Sequence, residues 1–353
     1  MYKKVAVVIL NWNGLGLLKQ FLPEVIATSP EARIVVADNG STDNSVDWVR
    51  ATYPEEVDII AFDKNYGFAR GYNMAVAQID EPLVVLLNSD VAPAEGWLKP
   101  LVEMMESDIN IAACQPRIMQ VADHDRYEYA GAAGGFLDRN GYPYCRGRVM
   151  SHVESDHGHY SDPIEIDWAS GAALMTRPEL YIKAGGLDEH FFAHMEEIDL
   201  CWRFRLMGYK LMAEPDSTVY HLGGGSLAMG SPRKTYLNFR NNLLMLYKNL
   251  PKKIRRKKLI ERRLLDTLAW TMNVVTGKWG HAGAIMRAHN DYRRMVKNIY
   301  KAEVEKLDNE NPDGRNLLEN RPNLLTSYYL RRHKTFSSIH SQTPIPKIKD
   351  VIT

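Results

Sequence analysis

Three cysteines in 353 residues, Cys114, Cys145 and Cys201, are too few and too scattered for a disulfide framework, and none forms the CxxC spacing of a structural zinc site. All three are expected to be free thiols in a reducing, cytoplasmic compartment. No stretch reaches the about 18 consecutive apolar residues of a membrane-spanning helix. The Met-Tyr-Lys-Lys start passes into a short apolar run without a cleavage site, which reads as a strand rather than a secretion signal. Neither the dinucleotide GxGxxG fingerprint nor a P-loop occurs at a strand-to-helix turn, so both of those nucleotide-binding readings lose support. There is no internal repeat. What remains is an ordinary globular composition, 45% hydrophobic and 25% charged, which excludes disorder and collagen-like chains. Because single cores stop growing near about 250–300 residues, the length fits one large α/β domain with an appended helical part, or two domains.

The overall charge of +1 hides a division at Pro232. Residues 1–232 hold 18 Lys+Arg against 33 Asp+Glu, and residues 233–353 hold 26 against 10, so the two parts face different partners. In the acidic part, residues 5–10, 33–37, 57–61 and 82–87 are short Val/Ile/Leu runs separated by helically spaced segments. That alternation predicts a βαβαβαβ unit with a parallel sheet covered on both faces. Each run ends in polar residues, Asn11-Trp12-Asn13-Gly14, Asp38-Asn39-Gly40, Asn65-Tyr66-Gly67 and Asn88-Ser89-Asp90. In an open parallel sheet those ends share one edge, where ligands bind. Residues 111–170 read as short strands and a mobile loop, 168–176 as a strand, 178–184 and 198–207 as helices, and 211–213 and 218–221 as edge strands. From residue 236 the pattern is helical to about 305, and the Pro-punctuated polar end is expected to be a loosely ordered tail.

Four constellations could carry chemistry. Asp38 at the end of the second strand can accept hydrogen bonds from a ribose or a base, or it can cap the next helix; Asp43 reads as structural. Asp90 in Asn88-Ser89-Asp90 can hold a hard divalent cation together with phosphate oxygens, or close an Asx-turn. Glu196-Glu197 at a helix start can supply a base for an acceptor hydroxyl, or simply answer the helix dipole, and Asp199 and Arg203 stand at the i,i+4 spacing of a local ion pair. His221, before Gly223-Gly224-Gly225-Ser226, can give an imidazole to the same cation or be structural, and the glycines can form a lid or phosphate donors. The His/Asp-rich stretch from His152 to Asp162 lacks a common face and is expected to be a solvated loop rather than a metal site.

In this order, these segments resemble the family 2 glycosyltransferases. The matching pieces are Val8-Ile9-Leu10-Asn11-Trp12-Asn13-Gly14, Val36-Ala37-Asp38-Asn39-Gly40-Ser41-Thr42-Asp43, Asn65-Tyr66-Gly67-Phe68-Ala69-Arg70-Gly71-Tyr72-Asn73, Leu86-Leu87-Asn88-Ser89-Asp90, and Gly185-Gly186-Leu187-Asp188 through Glu196-Glu197-Ile198-Asp199-Leu200-Cys201-Trp202-Arg203. The resemblance spans about residues 3–250 and is nearest to the rhamnosyltransferase-like branch. It implies an α/β, Rossmann-like GT-A domain over 1–232, with a donor half to about 110 and an acceptor half after it. A helical basic extension would follow at 233–310 and the tail at 311–353. It further implies that Asp38 contacts the nucleoside and that Asp90 is the metal-binding member of a DxD-type motif whose first position is Asn88. Glu197 would be the catalytic base, and His221 a second metal ligand. Asn11, Asn13, Arg70 and Asn88 are candidate donor-site residues, and Glu196 and Asp199 candidate acceptor-side residues. The implied reaction is inverting transfer of a sugar from a nucleotide-sugar to a saccharide or lipid-linked saccharide, aided by Mg²⁺ or Mn²⁺, in cell-surface polysaccharide synthesis. The alternatives are a relative that binds a nucleotide-sugar without turnover, prompted by Asn88 and Glu197, and a membrane-associated adaptor.

The basic end supplies the adaptor argument. Residues 248–263 contain Lys248, Lys252, Lys253, Arg255, Arg256, Lys257, Lys258, Arg262 and Arg263 against the single acid Glu261, with leucines and isoleucine interleaved. Such a helix suits an anionic membrane surface, where each basic residue contributes about 1 kcal/mol; a solvated face packed on the catalytic domain is the other reading. Nucleic acid is not expected, since no DNA or RNA module is present. The chain is expected in the cytoplasm, with peripheral attachment to the inner membrane face as an option.

Overall fold

The apolar runs become strands where expected, and their order sets the architecture. In the computed structural model, which describes residues 3–223, 230–310 and 314–341, the donor half supplies β1 (Val5–Asn11), α1 (Leu15–Thr28), β2 (Arg33–Asp38), α2 (Ser45–Thr52), β3 (Val57–Ala61), α3 (Phe68–Val76), β4 (Leu83–Leu87), β5 (Val91–Pro93) and α4 (Leu98–Ser107). The next part adds β6 (Ile111–Gln120), the short strands β7 (Gly135–Leu137), β8 (Pro143–Cys145), β9 (Arg148–Val149), β10 (His152–Val153) and β11 (Ile164–Glu165), then β12 (Ala173–Thr176), α5 (Pro178–Lys183), α6 (Glu196–Leu206) and β13 (Lys210–His221). The main sheet runs β11-β13-β6-β12-β4-β1-β2-β3, with β5 paired to β13. β3, β2, β1 and β4 are parallel. Val84, Val85 and the other residues of β4 are buried throughout, as a strand covered on both faces requires.

β12 is antiparallel to both β4 and β6, and β13 is parallel to β6. The carboxyl ends of β1, β2, β4, β6 and β13 therefore lie along one edge. The two edge strands expected at 211–213 and 218–221 are one continuous strand, β13, covered on both sides; a register break between Glu214 and Thr218 accounts for its split appearance in sequence. The strand expected from 168 starts only at Ala173, and the helix expected from 198 starts at Glu196. β7 to β10 form a second, antiparallel sheet. Cys114, Cys145 and Cys201 are buried free thiols.

The helical part comprises α7 (Pro232–Asn249), α8 (Lys252–Val275), α9 (Trp279–Met295) and α10 (Lys301–Glu310), followed by α11 (Phe336–His340). α7 opens as its sequence dictates, with Pro232 in its first turn and the Ser231 hydroxyl accepting from Lys234 N at 3.2 Å. No helix of the described residues is long and apolar enough to cross a membrane. The tail expected to be loosely ordered is corrected for residues 314–341. Leu317, Leu318, Leu324, Phe336 and Ile339 are buried there. Arg321 reaches Asp167 at 2.5 Å, and Phe336 packs at a tilt against Phe136 with centroids 4.8 Å apart. Widely spaced apolar residues without helical or strand period hid that packing in the sequence.

Candidate active site

Asp38 ends β2 directly beside Asn11, the last residue of β1. Its Oδ1 accepts from Asn11 Nδ2 at 2.9 Å and its Oδ2 from Ser41 N at 2.9 Å, so the buried carboxylate is anchored with acceptor capacity to spare. Asn11 Oδ1 is buried without a hydrogen-bond partner and faces Gly14, where any Cβ would lie 2.5 Å from it. Asn13 is used otherwise. Its backbone N–H donates to Ser41 Oγ at 2.8 Å and its Oδ1 accepts from Thr42 N at 2.7 Å, so it clasps the first loop to the second. Asp43 is structural as read, accepting from Leu15 N at the start of α1. The third loop is drawn in by Asn39, whose Oδ1 accepts from Tyr66 N at 2.9 Å. Gly40 makes this approach possible: at φ +69°, a Cβ there would lie 2.4 Å from the backbone of Lys64. Arg70 is half exposed over the Tyr66 ring and 3.8 Å from Glu189.

Asn88 follows β4, its N–H donating to Ala172 O at 3.0 Å. Two residues on, the buried Asp90 places Oδ1 3.1 Å from His221 Nε2 at the end of β13. Sequence reasoning missed the third member, Glu128. It follows β6, and its Oε2 lies 3.7 Å from His221 Nδ1, acting by charge across a gap too long for a hydrogen bond. Although burial opposes its charge, the Asp90 contact and the two carboxylates raise the His221 imidazole to about 10, so it is a cation between two anions at neutral pH. Nothing around Glu128 in the sequence signals this role; only the pairing of β6 with β13 brings it to His221. Among the described residues no group of three His, Cys, Asp or Glu side chains is arranged as a complete metal site. The Asp90 carboxylate and the oxygen-rich neighbourhood nevertheless fit a divalent cation that takes its other ligands from phosphate and water, and the buried, partnerless His221 Nδ1 could join them once a bound cation had displaced the imidazole's proton. Residues 224–229, which include most of the Gly-Gly-Gly-Ser run read as a lid, lie outside the described residues.

Glu196 and Glu197 open α6 after a bent segment in which Phe192, His194 and Met195 all have φ between +67° and +75°. Three non-glycine residues in that region store strain that the surroundings must hold. α7 does so. Asn241 Nδ2 shares its two N–H groups among the carbonyls of Phe191, Ala193 and His194 at 2.7–2.9 Å, and Arg240 donates to Phe191 O at 2.7 Å and to Asn241 Oδ1 at 2.8 Å. Glu197 sits against Gly171, whose built Cβ would be 3.7 Å from that of Glu197. Since Gly171 directly precedes Ala172, partner of Asn88, Glu197 lies at the same sheet edge as Asp38 and Asp90. Burial raises the Glu197 carboxyl to about 7, and burial with the adjacent Glu197 charge raises Glu196 well above the carboxylate range. Each leaves its Oε2 without a hydrogen-bond partner.

The acceptor-side expectation for Asp199 is corrected. Fully buried, it pairs with Arg203 at 2.9 Å, Lys248 at 2.9 Å and Asn249 at 2.7 Å, because two residues along a helix point to a different side from Glu197. Gly185-Gly186-Leu187-Asp188 is likewise a junction: Leu187 N donates to Asn73 Oδ1 at 2.9 Å, tying this segment to α3. The loop from His152 to Asp162 is mostly exposed, with Asp156 paired to Arg117 at 2.8 Å.

Comparison with known proteins agrees with this architecture. Residues 6–161 match the family model described as glycosyl transferase family 2. The chain is 25% identical over 233 residues to N-acetylglucosaminyl-diphospho-decaprenol L-rhamnosyltransferase of Mycobacterium tuberculosis, covering 58% of this chain and 71% of that protein. Among solved structures it is similar to GalNAc-T7 with UDP, GalNAc and Mn²⁺, with TM-score 0.55 and 18% identity over 70% of this chain, but it spans only 48% of that chain. It is also similar to the mannosyltransferase PcManGT from Pyrobaculum calidifontis in complex with GDP-Man and Mn²⁺, with TM-score 0.51 and 15% identity over 89% of each chain. Residues 6–161 thus hold a glycosyl transferase family 2 domain, and the chain as a whole has the α/β fold of the similar GT-A structures.

Proposed function

We propose that the chain is an inverting, cation-dependent transferase that moves a sugar from a nucleotide-sugar to a saccharide or lipid-linked saccharide in the synthesis of a cell-surface polysaccharide. The carrying observation is the partly buried Glu197, packed against Gly171 at the sheet edge that also holds Asp38 and Asp90. Asp38 and Asn11 receive the nucleoside, and the half-exposed Arg70 over Tyr66 supplies positive charge toward the donor. The Asn88-Ser89-Asp90 turn receives the diphosphate end. Asp90 and His221 would hold a divalent cation, which when bound supplies neutralisation of the leaving diphosphate's charge. Glu197 takes the proton from the acceptor hydroxyl as its oxygen bonds to the anomeric carbon and the bond from that carbon to the diphosphate breaks on the opposite face. Glu196, whose carboxyl is pushed well above the usual carboxylate range by burial and the neighbouring Glu197 charge, lines the acceptor side. The names of the similar proteins, one acting on a diphospho-decaprenol acceptor and two solved with a nucleotide and Mn²⁺, support this substrate class. The enzyme would work in the cytoplasm, peripheral on the inner face of the cell membrane.

The test is a panel of nucleotide-sugars with and without Mn²⁺, followed by thermal shift and donor hydrolysis. A stabilising donor raises the melting temperature, and Asp90→Asn is expected to remove the Mn²⁺-dependent part of that shift. Donor binding without hydrolysis or transfer across donors and acceptors would instead mark a non-catalytic relative.

A further inference from the structure

The nine-base cluster at 248–263 does not act as one surface. Lys248 is drawn to Asp188 at 2.5 Å, Arg255 to Asp308 at 2.6 Å, Lys258 to Glu261 at 3.2 Å and the buried Arg262 to Asp266 at 2.8 Å, so these four hold the fold together. What α8 turns to solvent is a different set. Its exposed residues comprise five bases, five large apolar side chains and two threonines, with no acid among them. The apolar members, Ile260, Leu264, Leu268, Met272 and Val275, are 53–80% exposed and recur every three or four residues, which puts them in one stripe along the helix. Trp279 at the start of α9 is also exposed, at 67%. An exposed apolar row of this length is unusual on a water-facing helix.

Beside the stripe, α7, α8 and α9 enclose a groove of about 420 Å³ whose walls include Lys252, Arg256, Arg263, Arg293, Tyr247 and Tyr292 and no carboxylate. We propose that α8 is a membrane-docking helix: its apolar stripe enters the headgroup boundary of a bilayer while the groove takes the phosphate of an anionic phospholipid. Charge complementarity selects this occupant. A second copy of the chain would bring the same bases against each other with no acid on the face to meet them, whereas an anionic lipid surface satisfies both the bases and the stripe. This deepens the functional reading above and rests on it for the enzyme's place in the cell, since a lipid-linked acceptor is met at that surface.

The test is co-sedimentation of the full chain with vesicles of phosphatidylcholine alone and of phosphatidylcholine mixed with phosphatidylglycerol. The chain is expected to partition at least about tenfold more strongly onto the anionic vesicles, and added salt is expected to weaken that partition. The double variants Leu264→Glu/Leu268→Glu and Arg256→Glu/Arg263→Glu are each expected to lose it at least about tenfold. Both pairs face solvent, so melting temperature and lipid-free donor hydrolysis should stay as in the parent. A parent chain that ignores both vesicle types, or variants that bind as the parent does, would overturn the proposal. So would a dimer in analytical ultracentrifugation that the leucine variant dissolves, which would assign the stripe to a second copy. Donor hydrolysis is read without lipid: its absence alongside vesicle binding counts against the transferase reading alone, and the reverse result against the docking helix alone.

Discussion

At the scale of single residues, Glu197 holds two opposed consequences of burial. Its carboxyl is raised from an ordinary 4.5 to about 7, so the native state binds its proton more tightly than the unfolded chain does. The stability this gives is fully present below about 4.5 and is lost as the pH rises through about 7. The same shift suits a base, which must be ionised to act and must still take a proton. Transfer is therefore expected to rise with pH through about 7 in a pH–rate profile. Glu197→Gln should lower kcat by about 100-fold or more while donor affinity stays within about twofold. The variant should also melt at a higher temperature than the parent near pH 8, because an uncharged amide replaces a partly buried anion. His221 has the same sign over a different range: raised to about 10, it favours the fold below about 6.5 and ceases to as the pH rises through about 10.

At the scale of elements, the segment before α6 shows how one helix prepares another. Phe192, His194 and Met195 hold left-handed backbone angles only because α7 donates to the surrounding carbonyls through Arg240 and Asn241. Asn241→Ala removes the shared donors and leaves buried carbonyls unpaired, at about 1–3 kcal/mol. The expected outcome is a kcat lower by about tenfold with donor affinity unchanged, since a small displacement of Glu197 misplaces the proton acceptor. A variant that unfolds in the same proportion as it loses activity would indicate a structural part only, so circular dichroism and a KM-against-kcat comparison accompany the assay. At the opposite side of the cleft, Gly40→Ala would set a Cβ against Lys64 at positive φ and is expected to loosen the nucleoside side, reducing donor affinity first.

At the scale of the whole molecule, the acidic part and the basic part are bound together more closely than their charges suggest. Lys248 of α7 bridges Asp188 and Asp199 at 2.5 and 2.9 Å, and Tyr300 reaches Asp188 at 3.0 Å. Residues 314–341 then return to the second sheet, where Leu324 N donates to Asp138 at 3.1 Å and Tyr144 OH meets His340 at 2.9 Å. A chain ending at residue 310 exposes Phe136 and Tyr144 and is expected to melt several degrees lower in calorimetry, with the donor-side loops still able to bind a nucleotide-sugar. Fully burying a side chain such as Phe336 or Leu324 is worth about 1.5–3 kcal/mol, which makes this strap a sizeable part of the stability.

The parallel strands and the loops that end them were readable from residue order alone, because a strand buried on both faces must be a continuous apolar run and its polar end must break it. Asp38, Asn88 and Asp90 could be placed at that sheet edge for that reason, and the order of the motifs carried the resemblance to the family whose domain occupies residues 6–161. Local chemistry also sufficed for Asp43 as a structural residue and for the Asp199–Arg203 pair, though it left Asp199 facing the acceptor when the helix turns it inward. What tertiary structure alone decided were contacts between residues far apart in the chain. Glu128 beside His221 needs β6 paired with β13, and Asn241 under the Glu197 segment needs α7 folded back on α6. The basic cluster divides into inward ion pairs and an outward stripe only once the acids at 188, 199, 266 and 308 have found their partners. Composition counts charges, whereas the fold determines which of them meet water.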